Sequence, residues 1–273
     1  MPELPEVETV RKDLIRAGLP GRVIQSADLF WHRTLAVPSL KDFEMKIAGA
    51  KIKGLARRGK YLIFNLDKGC LVMHLRMSGR IDFKSKAFDP RKHDRARLVF
   101  TDGAQLLFHD TRKFGRWYFT DDATKIVGKL GIEPLDKKFT AGWLAEKLKN
   151  KKRTLKPLLL DQSLVAGIGN IYADEALFEA KIHPRVMTHT LTFKQVRALN
   201  TAIKKVLRQA IRFRGSTLRD FVDADGVVGS YRSRHKVYDR AGENCPRCKK
   251  HKIERIVLGG RSTCFCAVCQ PDK

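Results

Sequence analysis

Four cysteines near the C-terminus have a spacing that suits a metal ion. Two residues separate Cys245 from Cys248, two separate Cys266 from Cys269, and 17 residues lie between the two pairs. Each pair can present two thiolates to one ion, and two pairs complete the closed tetrahedral set of a structural zinc site. Cys264 could replace Cys266 as a ligand, but it would break the paired spacing. We therefore predict one structural Zn²⁺ held by the four paired cysteines.

The N-terminus could supply a nucleophile. If Met1 is removed, Pro2 carries a secondary α-amine, and such amines titrate near 7.7–8.0, against about 10.4 for lysine. Much more of it is therefore free base at neutral pH, and a carboxyl of Glu3 or Glu6 could act as a general acid beside it. In the alternative interpretation, the acidic residues only begin a helix whose dipole favours them. The residues alone leave both interpretations open.

Two further residues could bind phosphate. Arg261 follows Gly259 and Gly260 between two β-like segments, so a zinc-held hairpin would carry its guanidinium at a rigid tip. Asn170 follows a glycine-bearing turn between two helices and is placed to cap the second helix, whose free N–H groups form an anion site. Exposed arginines and ordinary helical hairpins are common, and these alternatives remain open.

The charge balance points to a polyanionic partner. The chain has 273 residues, 55 lysines and arginines, 29 acidic residues and a net charge of +26, with 43% hydrophobic residues. That apolar content excludes a disordered basic tail, and such an excess charge favours nucleic acid as the partner. The N-terminus lacks the apolar region of a secretory signal, and no stretch is long and apolar enough to span a membrane. The clustered cysteines favour a reducing, cytoplasmic setting.

The predicted elements must position these residues. Apolar spacing predicts a helix over 5–17, and β-rich runs with a Thr101–Gly103 turn predict an antiparallel β-sandwich or barrel from about 22 to 120. Residues 134–138 suggest a linker. Beyond it the pattern is helical, with a capping box at Thr192–Gln195 and a helix ended by Gly215. The polar stretch at 216–237 predicts a long, functional loop.

The whole chain resembles the formamidopyrimidine-DNA glycosylase (Fpg) family. The motifs that carry the resemblance occur in the family's order: PELPEVET at 2–9, RGKY at 58–61, MHLRMSG at 73–79, KHD at 92–94, DTRKFG at 110–115, GIGNIY at 167–172 and RSTCFCAVCQ at 261–270. The resemblance implies an α+β protein: an N-terminal antiparallel β-sandwich with flanking helices at 1–133, a helix–two-turn–helix domain at 134–236, and a zinc-finger β-hairpin at 237–273. DNA would lie in a basic cleft between the domains.

The resemblance also implies roles for particular residues. Pro2 matches the proline that attacks C1′ of the damaged nucleotide and forms a Schiff base, Glu3 matches the acid/base that assists base departure, and Glu6 matches a supporting carboxylate. Lys60 corresponds to a lysine that processes the lesion and contacts phosphate, and Arg261 to the finger arginine of the final δ-elimination.

Other matching positions contact DNA. Four residues fall on positions that contact the DNA backbone, and three match side chains that fill the gap left by a flipped-out base. The backbone set is His93, Arg112, Lys151 and Asn170, and the gap-filling set is Met77, Arg112 and Phe114.

The sequence therefore predicts a bifunctional DNA glycosylase and AP lyase of base excision repair. It would remove oxidised purines, such as 8-oxoguanine and formamidopyrimidines, by β,δ-elimination from damaged double-stranded DNA, acting as a cytoplasmic, nucleoid-associated monomer with no membrane partner. One alternative is an endonuclease VIII-like enzyme for oxidised pyrimidines, although Leu4 and the 216–237 segment favour the purine enzyme. The other is a non-catalytic zinc-ribbon DNA-binding protein.

Overall fold

The computed structural model describes residues 1–216 and 230–272, which form two compact units. Unit 1 consists of residues 1–129 with 214–216, and unit 2 consists of residues 130–213 with 230–272. Most of the predicted loop at 216–237 lies outside the described residues. In the described part of the chain, no helix has both the length and the apolar character needed to cross a membrane.

Unit 1 is built on two β-sheets. The four-stranded sheet has the order β1 (Ile24–Asp28), β7 (Asp94–Phe100), β8 (Gln105–His109), β6 (Arg80–Lys84). The five-stranded sheet has the order β2 (Leu35–Val37), β9 (Arg116–Thr120), β5 (Cys70–His74), β4 (Tyr61–Leu66), β3 (Ile52–Arg58). Neighbouring strands run antiparallel, except that the short edge strand β2 pairs with β9 in parallel.

The two sheets of unit 1 share one apolar core. Buried side chains of both sheets belong to a single cluster, in which the rings of Phe108 on β8 and Trp117 on β9 lie 5.7 Å apart. The predicted β-sandwich is thus confirmed, with one parallel pair at an edge. The turn predicted at Thr101–Gly103 joins β7 to β8.

Helices flank the sandwich. Helix α1 (Leu4–Arg16) packs against β3 and β4, and it buries Val7, Val10 and Leu14, the face that the apolar spacing predicted. Shorter helices follow, α2 (Leu40–Ile47) and α3 (Thr124–Val127). The predicted helix over 5–17 is confirmed within one residue at each end.

Unit 2 combines helices with a hairpin. Its helices are α4 (Ala141–Lys149), α5 (Leu155–Leu159), α6 (Asn170–Ala180) and α7 (Phe193–Arg212), and its hairpin consists of β10 (Glu254–Leu258) and β11 (Arg261–Phe265). The capping box of α7 is confirmed: the Thr192 hydroxyl accepts from the Gln195 N–H, and the Gln195 side chain accepts from the Thr192 N–H. Helix α7 ends at Arg212, before the predicted stop at Gly215, which has a φ of 79°.

The helices and the hairpin of unit 2 form one compact body. Strand β11 packs against α6, and the cysteine-rich segment shares an apolar cluster with Phe178 of α6. The domain boundaries after residues 133 and 236 stay predictions.

Candidate functional site

The start of α1 is held by the buried carboxylate of Glu6. One oxygen of Glu6 accepts the Glu3 backbone N–H at 2.8 Å, and the other accepts the Ser216 N–H at 2.7 Å. Gly215 leaves room for this contact, because a Cβ there would lie 2.7 Å from the Glu6 oxygen. Pro2 and Glu3, both buried, thus precede a helix whose first turn is fixed to residues 215 and 216.

A second carboxylate of α1 fixes the same short segment. The two oxygens of Asp13 accept from the two terminal nitrogens of Arg214 at 3.0 and 2.8 Å, in the bidentate arrangement favoured for guanidinium and carboxylate. Residues 214–216 therefore attach to α1 at Glu6 and at Asp13.

Lys60 occupies the tight turn between β3 and β4 and is buried. Arg57 supports this turn, since its guanidinium donates to the Gly59 carbonyl at 2.9 Å and to Glu8 of α1 at 3.2 Å. Burial opposes ionisation of Glu8, but the hydrogen bonds and charges of Arg11 and Arg57 outweigh it and lower the pKa of Glu8. Helix α1 therefore positions both the N-terminal residues and the Lys60 turn.

His74, at the end of β5, lies beside Lys60 in an uncharged state. Burial lowers the pKa of His74 to about 3, and the charges of Arg76 and Lys60 add to the effect. Its Nδ1 accepts the Arg76 N–H at 2.9 Å, and its ring meets Tyr61 edge-on at 4.5 Å. A neutral, hydrogen-bonded imidazole thus lies near Lys60.

Met77, Arg112 and Phe114 lie on two loops that Asp110 joins. The Ser78 hydroxyl and the Arg112 N–H donate to one oxygen of the buried Asp110 carboxylate, the latter at 3.2 Å. The Gly115 N–H donates to the other oxygen at 2.7 Å. One carboxylate therefore fixes the loop after β5 and the loop before β9 against each other.

The three side chains on these loops are presented to solvent. Met77 is 42% exposed and Phe114 is 48% exposed, and the Arg112 guanidinium lies 5.1 Å from the centre of the Phe114 ring. Arg76 and Lys113 adopt left-handed backbone conformations, with φ of 54° and 60°. Such strain persists where the surrounding structure enforces it, often at functional sites.

His93 adjoins the same loops. Its carbonyl accepts the Asp110 N–H at 2.9 Å, and its Nδ1 lies 3.1 Å from the Arg95 guanidinium. Partial burial and the charge of Arg95 lower the pKa of His93. The structure thus brings His93 next to the segment that carries Arg112.

In unit 2, Asn170 lies at the N-terminus of α6, but it does not cap that helix. Gly169 is the N-cap residue, and Asn170 is the first residue of the helix. The Asn170 amide donates instead to the carbonyl of Ser262 in β11, at 2.9 Å. The predicted capping role is therefore wrong, because the side chain is used for packing between the helix and the hairpin.

The turn before α6 is organised by Gln162. Its amide nitrogen donates to the carbonyls of Leu160 and Ile168, and its oxygen accepts the Gly167 N–H at 2.9 Å. Gly167 has a φ of 92°, which favours glycine. The helix–turn–helix predicted around these glycines is present.

A buried ion pair joins the hairpin to the helices of unit 2. Lys156 of α5 and Asp174 of α6 lie 2.7 Å apart, and both side chains are almost fully buried. Lys156 also donates to the Ser262 carbonyl and the Thr263 hydroxyl, and Asp174 accepts the Cys264 N–H at 3.0 Å. Burial raises the pKa of Asp174 to about 7, although the charge of Lys156 opposes the rise.

The four predicted cysteine ligands converge. Their sulfur atoms all lie within 4.8 Å of one another, and the Cys245–Cys269 and Cys248–Cys266 pairs are each 3.8 Å apart. A tetrahedral ion with zinc–sulfur bonds of about 2.3 Å requires sulfurs about 3.8 Å apart. Cys264 lies outside the cluster, in β11. The donor set and its geometry fit one structural zinc, as predicted.

Arg261 and Lys151 are both exposed. Arg261 begins β11, after a turn in which Gly259 and Gly260 have φ of 54° and 71°. Within the described residues, no acidic side chain pairs with its guanidinium. Lys151 lies just beyond α4, where its carbonyl accepts the Thr188 hydroxyl.

Several residues that organise the site were not predicted from the sequence. Asp110 and Asp174 are buried carboxylates, and Glu175 accepts the N–H groups of Lys236, Val237 and Tyr238. Their roles depend on contacts with distant segments. The one available signal was an acidic residue in an otherwise apolar helix, as at Asp174 and Glu175.

A β-sandwich unit with exposed apolar and cationic loop residues, followed by a helical unit with a four-thiolate finger, defines a zinc-finger nucleic-acid-binding protein. Three family models match the chain: the formamidopyrimidine-DNA glycosylase N-terminal domain at residues 1–117, the formamidopyrimidine-DNA glycosylase H2TH domain at 130–222, and the zinc finger found in FPG and IleRS at 242–271. The chain belongs to the formamidopyrimidine-DNA glycosylase family.

Relatives named formamidopyrimidine-DNA glycosylase match this chain over nearly their whole length. The chain is 44% identical to formamidopyrimidine-DNA glycosylase of Protochlamydia amoebophila, covering 99% of both chains. It is 40% identical to that of Bacillus subtilis, covering 100% of both. The predicted enzyme class, a DNA glycosylase of base excision repair, is thereby confirmed.

Solved structures of one relative carry DNA. A mutant Lactococcus lactis Fpg in complex with Fapy-dG-containing DNA has a TM-score of 0.91 and 37% identity, covering 99% of this chain and 100% of that one. The Lactococcus lactis Fpg complex with abasic-site DNA has the same TM-score at 36% identity, with the same coverage.

Proposed function

We propose that this chain removes oxidised purines from double-stranded DNA and then cleaves the strand at the resulting abasic site. The observation that carries the proposal is the placement of Pro2 and Glu3 before a helix whose first turn Glu6 fixes. The names of the relatives support formamidopyrimidines as substrates, and the Lactococcus lactis complex with Fapy-dG-containing DNA supports the same class.

Pro2 is the nucleophile of the proposed reaction. Once Met1 is removed, its nitrogen attacks C1′ while the bond from C1′ to the damaged base breaks, and Glu3 supplies the proton that accompanies the departing base. The Pro2 nitrogen then gives up its proton, the C1′–O4′ bond breaks and O4′ takes a proton, which leaves a Schiff base between Pro2 and the ring-opened sugar. Glu6 supports this step indirectly, because its oxygens hold the Glu3 backbone and Ser216.

Strand cleavage follows in two eliminations. β-Elimination from the Schiff base expels the 3′ phosphate, and δ-elimination then expels the 5′ phosphate. Lys60 contacts phosphate and assists lesion processing, and Arg261 serves the δ-elimination. The guanidinium of Arg261 is exposed and has no ion pair with any residue that the structure describes, which supports its assignment.

Two sets of residues, which share Arg112, hold the DNA and fill the gap in it in this proposal. Met77, Arg112 and Phe114 fill the space of the extruded nucleotide, which offsets the lost base stacking. His93, Arg112, Lys151 and Asn170 contact the sugar–phosphate backbone. When bound, zinc holds the two cysteine pairs together and so stabilises the hairpin that carries Arg261.

The charge of the chain supports further proposals about its setting. A net charge of +26 favours association with DNA and opposes self-association, so we propose a monomer that acts in the cytoplasm on the bacterial nucleoid, without a membrane partner.

Borohydride trapping on a duplex containing 8-oxoguanine tests the proposal. The processed protein should form a covalent adduct, and a Pro2→Gly variant or a chain extended before Pro2 should form far less of it. Glu3→Gln should bind the duplex yet release no base. Full trapping by a protein with a verified N-terminal extension would disprove the role of Pro2.

A further inference from the structure

A second surface of unit 1 has the features of a protein-docking groove. A cavity of about 730 Å³ lies between α2, α3, the edge strand β2 and the end of β9. Its walls include Val37, Met45, Phe119 and Ile126. Val37 is 43% exposed and Met45 is 62% exposed, although neither belongs to the proposed DNA-binding set. Adjacent exposed apolar side chains in a concave surface are typical of an interaction site.

The groove lies at the opposite end of the sheet from the proposed active site. Strand β4 begins beside Lys60 and ends just before Lys68, which lines the groove. Strand β5 begins after Gly69 of the groove and leads toward Met77, and β9 follows Phe114 and ends beside Asp121. The strand pairs Tyr61–His74 and Cys70–Thr120 confirm these two ends. Occupation of the groove thus leaves the proposed wedge residues accessible.

The rim of the groove is cationic. Lys46, Lys68 and Lys125 line it together with a single acidic residue, Asp121. Lys125 neutralises Asp121, since its amine lies 2.6 and 2.9 Å from the two carboxylate oxygens. Lys46 and Lys68 are exposed, and neither has an ion pair with any described residue. The groove therefore presents two available positive charges beside an apolar floor.

An apolar floor with a cationic rim suits one class of binding partner. The apolar floor offers little to a phosphate backbone, whose contacts require hydrogen-bond donors. Lys46 lies on α2 and Lys68 in the loop after β4, and both are exposed, whereas a small-ligand site buries most of its ligand and holds it with a few precisely placed polar groups. An extended segment can place one bulky apolar side chain in the groove and several carboxylates along the rim.

We propose that this groove docks a short acidic segment of a partner protein, anchored by a large apolar side chain. The interaction lies beyond the glycosylase activity and does not depend on it. A partner held there would be brought to a DNA lesion together with the enzyme.

The test uses the whole protein and a defined probe. A short fluorescein-labelled peptide, with a run of aspartates before a C-terminal phenylalanine, should bind saturably in a fluorescence anisotropy titration. Lys68→Glu and Met45→Glu should each weaken binding about tenfold, through lost charge attraction and lost apolar contact respectively. Lys41→Glu makes the same charge change on α2 outside the groove and should leave the affinity unchanged.

Three further measurements separate the alternatives. Changing the phenylalanine of the peptide to alanine should abolish saturable binding, and an undamaged duplex should not displace the peptide. Excision of 8-oxoguanine by Lys68→Glu should match that of the unaltered protein. The proposal is overturned if the peptide does not bind, if both groove variants bind it normally, or if duplex DNA displaces it.

Discussion

The two units hold the exposed side chains that we propose to act on DNA by different means. In unit 1, the loops of Met77, Arg112 and Phe114 are fixed by one buried carboxylate, Asp110, which accepts from Ser78, Arg112 and Gly115. In unit 2, the hairpin of Arg261 is fixed by four thiolates at one end and by the Lys156–Asp174 pair along β11. The first arrangement requires no metal, whereas the second combines a metal site with a buried ion pair.

This difference predicts that a substitution can impair one unit and leave the other intact. Damage to the Asp110 contacts should impair the wedge residues and leave the finger intact. Damage to the zinc site or to the ion pair should impair the step assigned to Arg261 and leave Pro2 chemistry in place.

The largest effect is expected from loss of a zinc ligand. Cys248→Ser removes one of four thiolates, and because metal binding is coupled to folding of such fingers, zinc content should fall well below one per chain. The Arg261-dependent elimination should fall at least about tenfold with it. Elemental analysis and a strand-cleavage assay measure the two effects. Cys264→Ser is the matched control and should retain zinc, since Cys264 lies outside the cluster.

Lys156→Met should produce the next largest effect. It leaves Asp174 buried without its cationic partner, and breaking a buried pair in this way costs about 3–5 kcal/mol. The loss should appear in the free energy of unfolding measured with denaturant. A double variant with Asp174→Leu removes both charges and should recover much of the loss. Equal stability of Lys156→Met and the parent would show that the pair does not hold the hairpin.

Asp110→Asn should have a smaller effect, confined to unit 1. The amide keeps one acceptor oxygen but places an NH₂ group against a donor, so we expect a loss of about 1–3 kcal/mol. Excision of the lesion should decline while zinc content stays unchanged. The exposed Asp89→Asn is the control. Normal excision by Asp110→Asn would mean that the two loops do not depend on this carboxylate.

The smallest effect concerns pH. The pKa of His74 falls from its usual 6.5 to about 3 in the folded protein, so between these values the unfolded chain takes up a proton that the folded chain excludes. Stability should therefore fall as the pH drops below 6.5, by at most about 1.4 kcal/mol per pH unit from this group.

His74→Gln should reduce the slope of unfolding free energy against pH between 4 and 6. His189→Gln, at an exposed position, is the control and should leave the slope unchanged. An unchanged slope in His74→Gln would contradict the burial of a neutral imidazole beside Lys60.

Local patterns predicted much of this molecule. The apolar face of α1, the capping box of α7 and the spacing of the four cysteines each depend on residues close in sequence, and all three appear in the structure. The parallel pairing of β2 with β9 was not predictable, because a three-residue edge strand carries no pattern that sets its direction.

Contacts between distant segments explain why some roles at the site were not predicted or were predicted wrongly. Asn170 is of a residue type that often caps helices, yet Gly169 holds the N-cap position and the Asn170 amide donates to the carbonyl of Ser262, which is far away in the sequence. Asp110 and Lys156 likewise act through segments that come together only in the fold. A single sequence shows which residues could accept or donate, but it does not show which partners reach them.

The most direct test compares trapped adduct and cleavage products for Pro2→Gly and Arg261→Ala on one duplex containing 8-oxoguanine. We expect Pro2→Gly to lose most of the borohydride-trapped adduct. Arg261→Ala should trap normally but accumulate the β-elimination product in place of the δ-elimination product. A normal δ-elimination product from Arg261→Ala, or a loss of trapping as complete as that of Pro2→Gly, would contradict the division of chemistry between the two units.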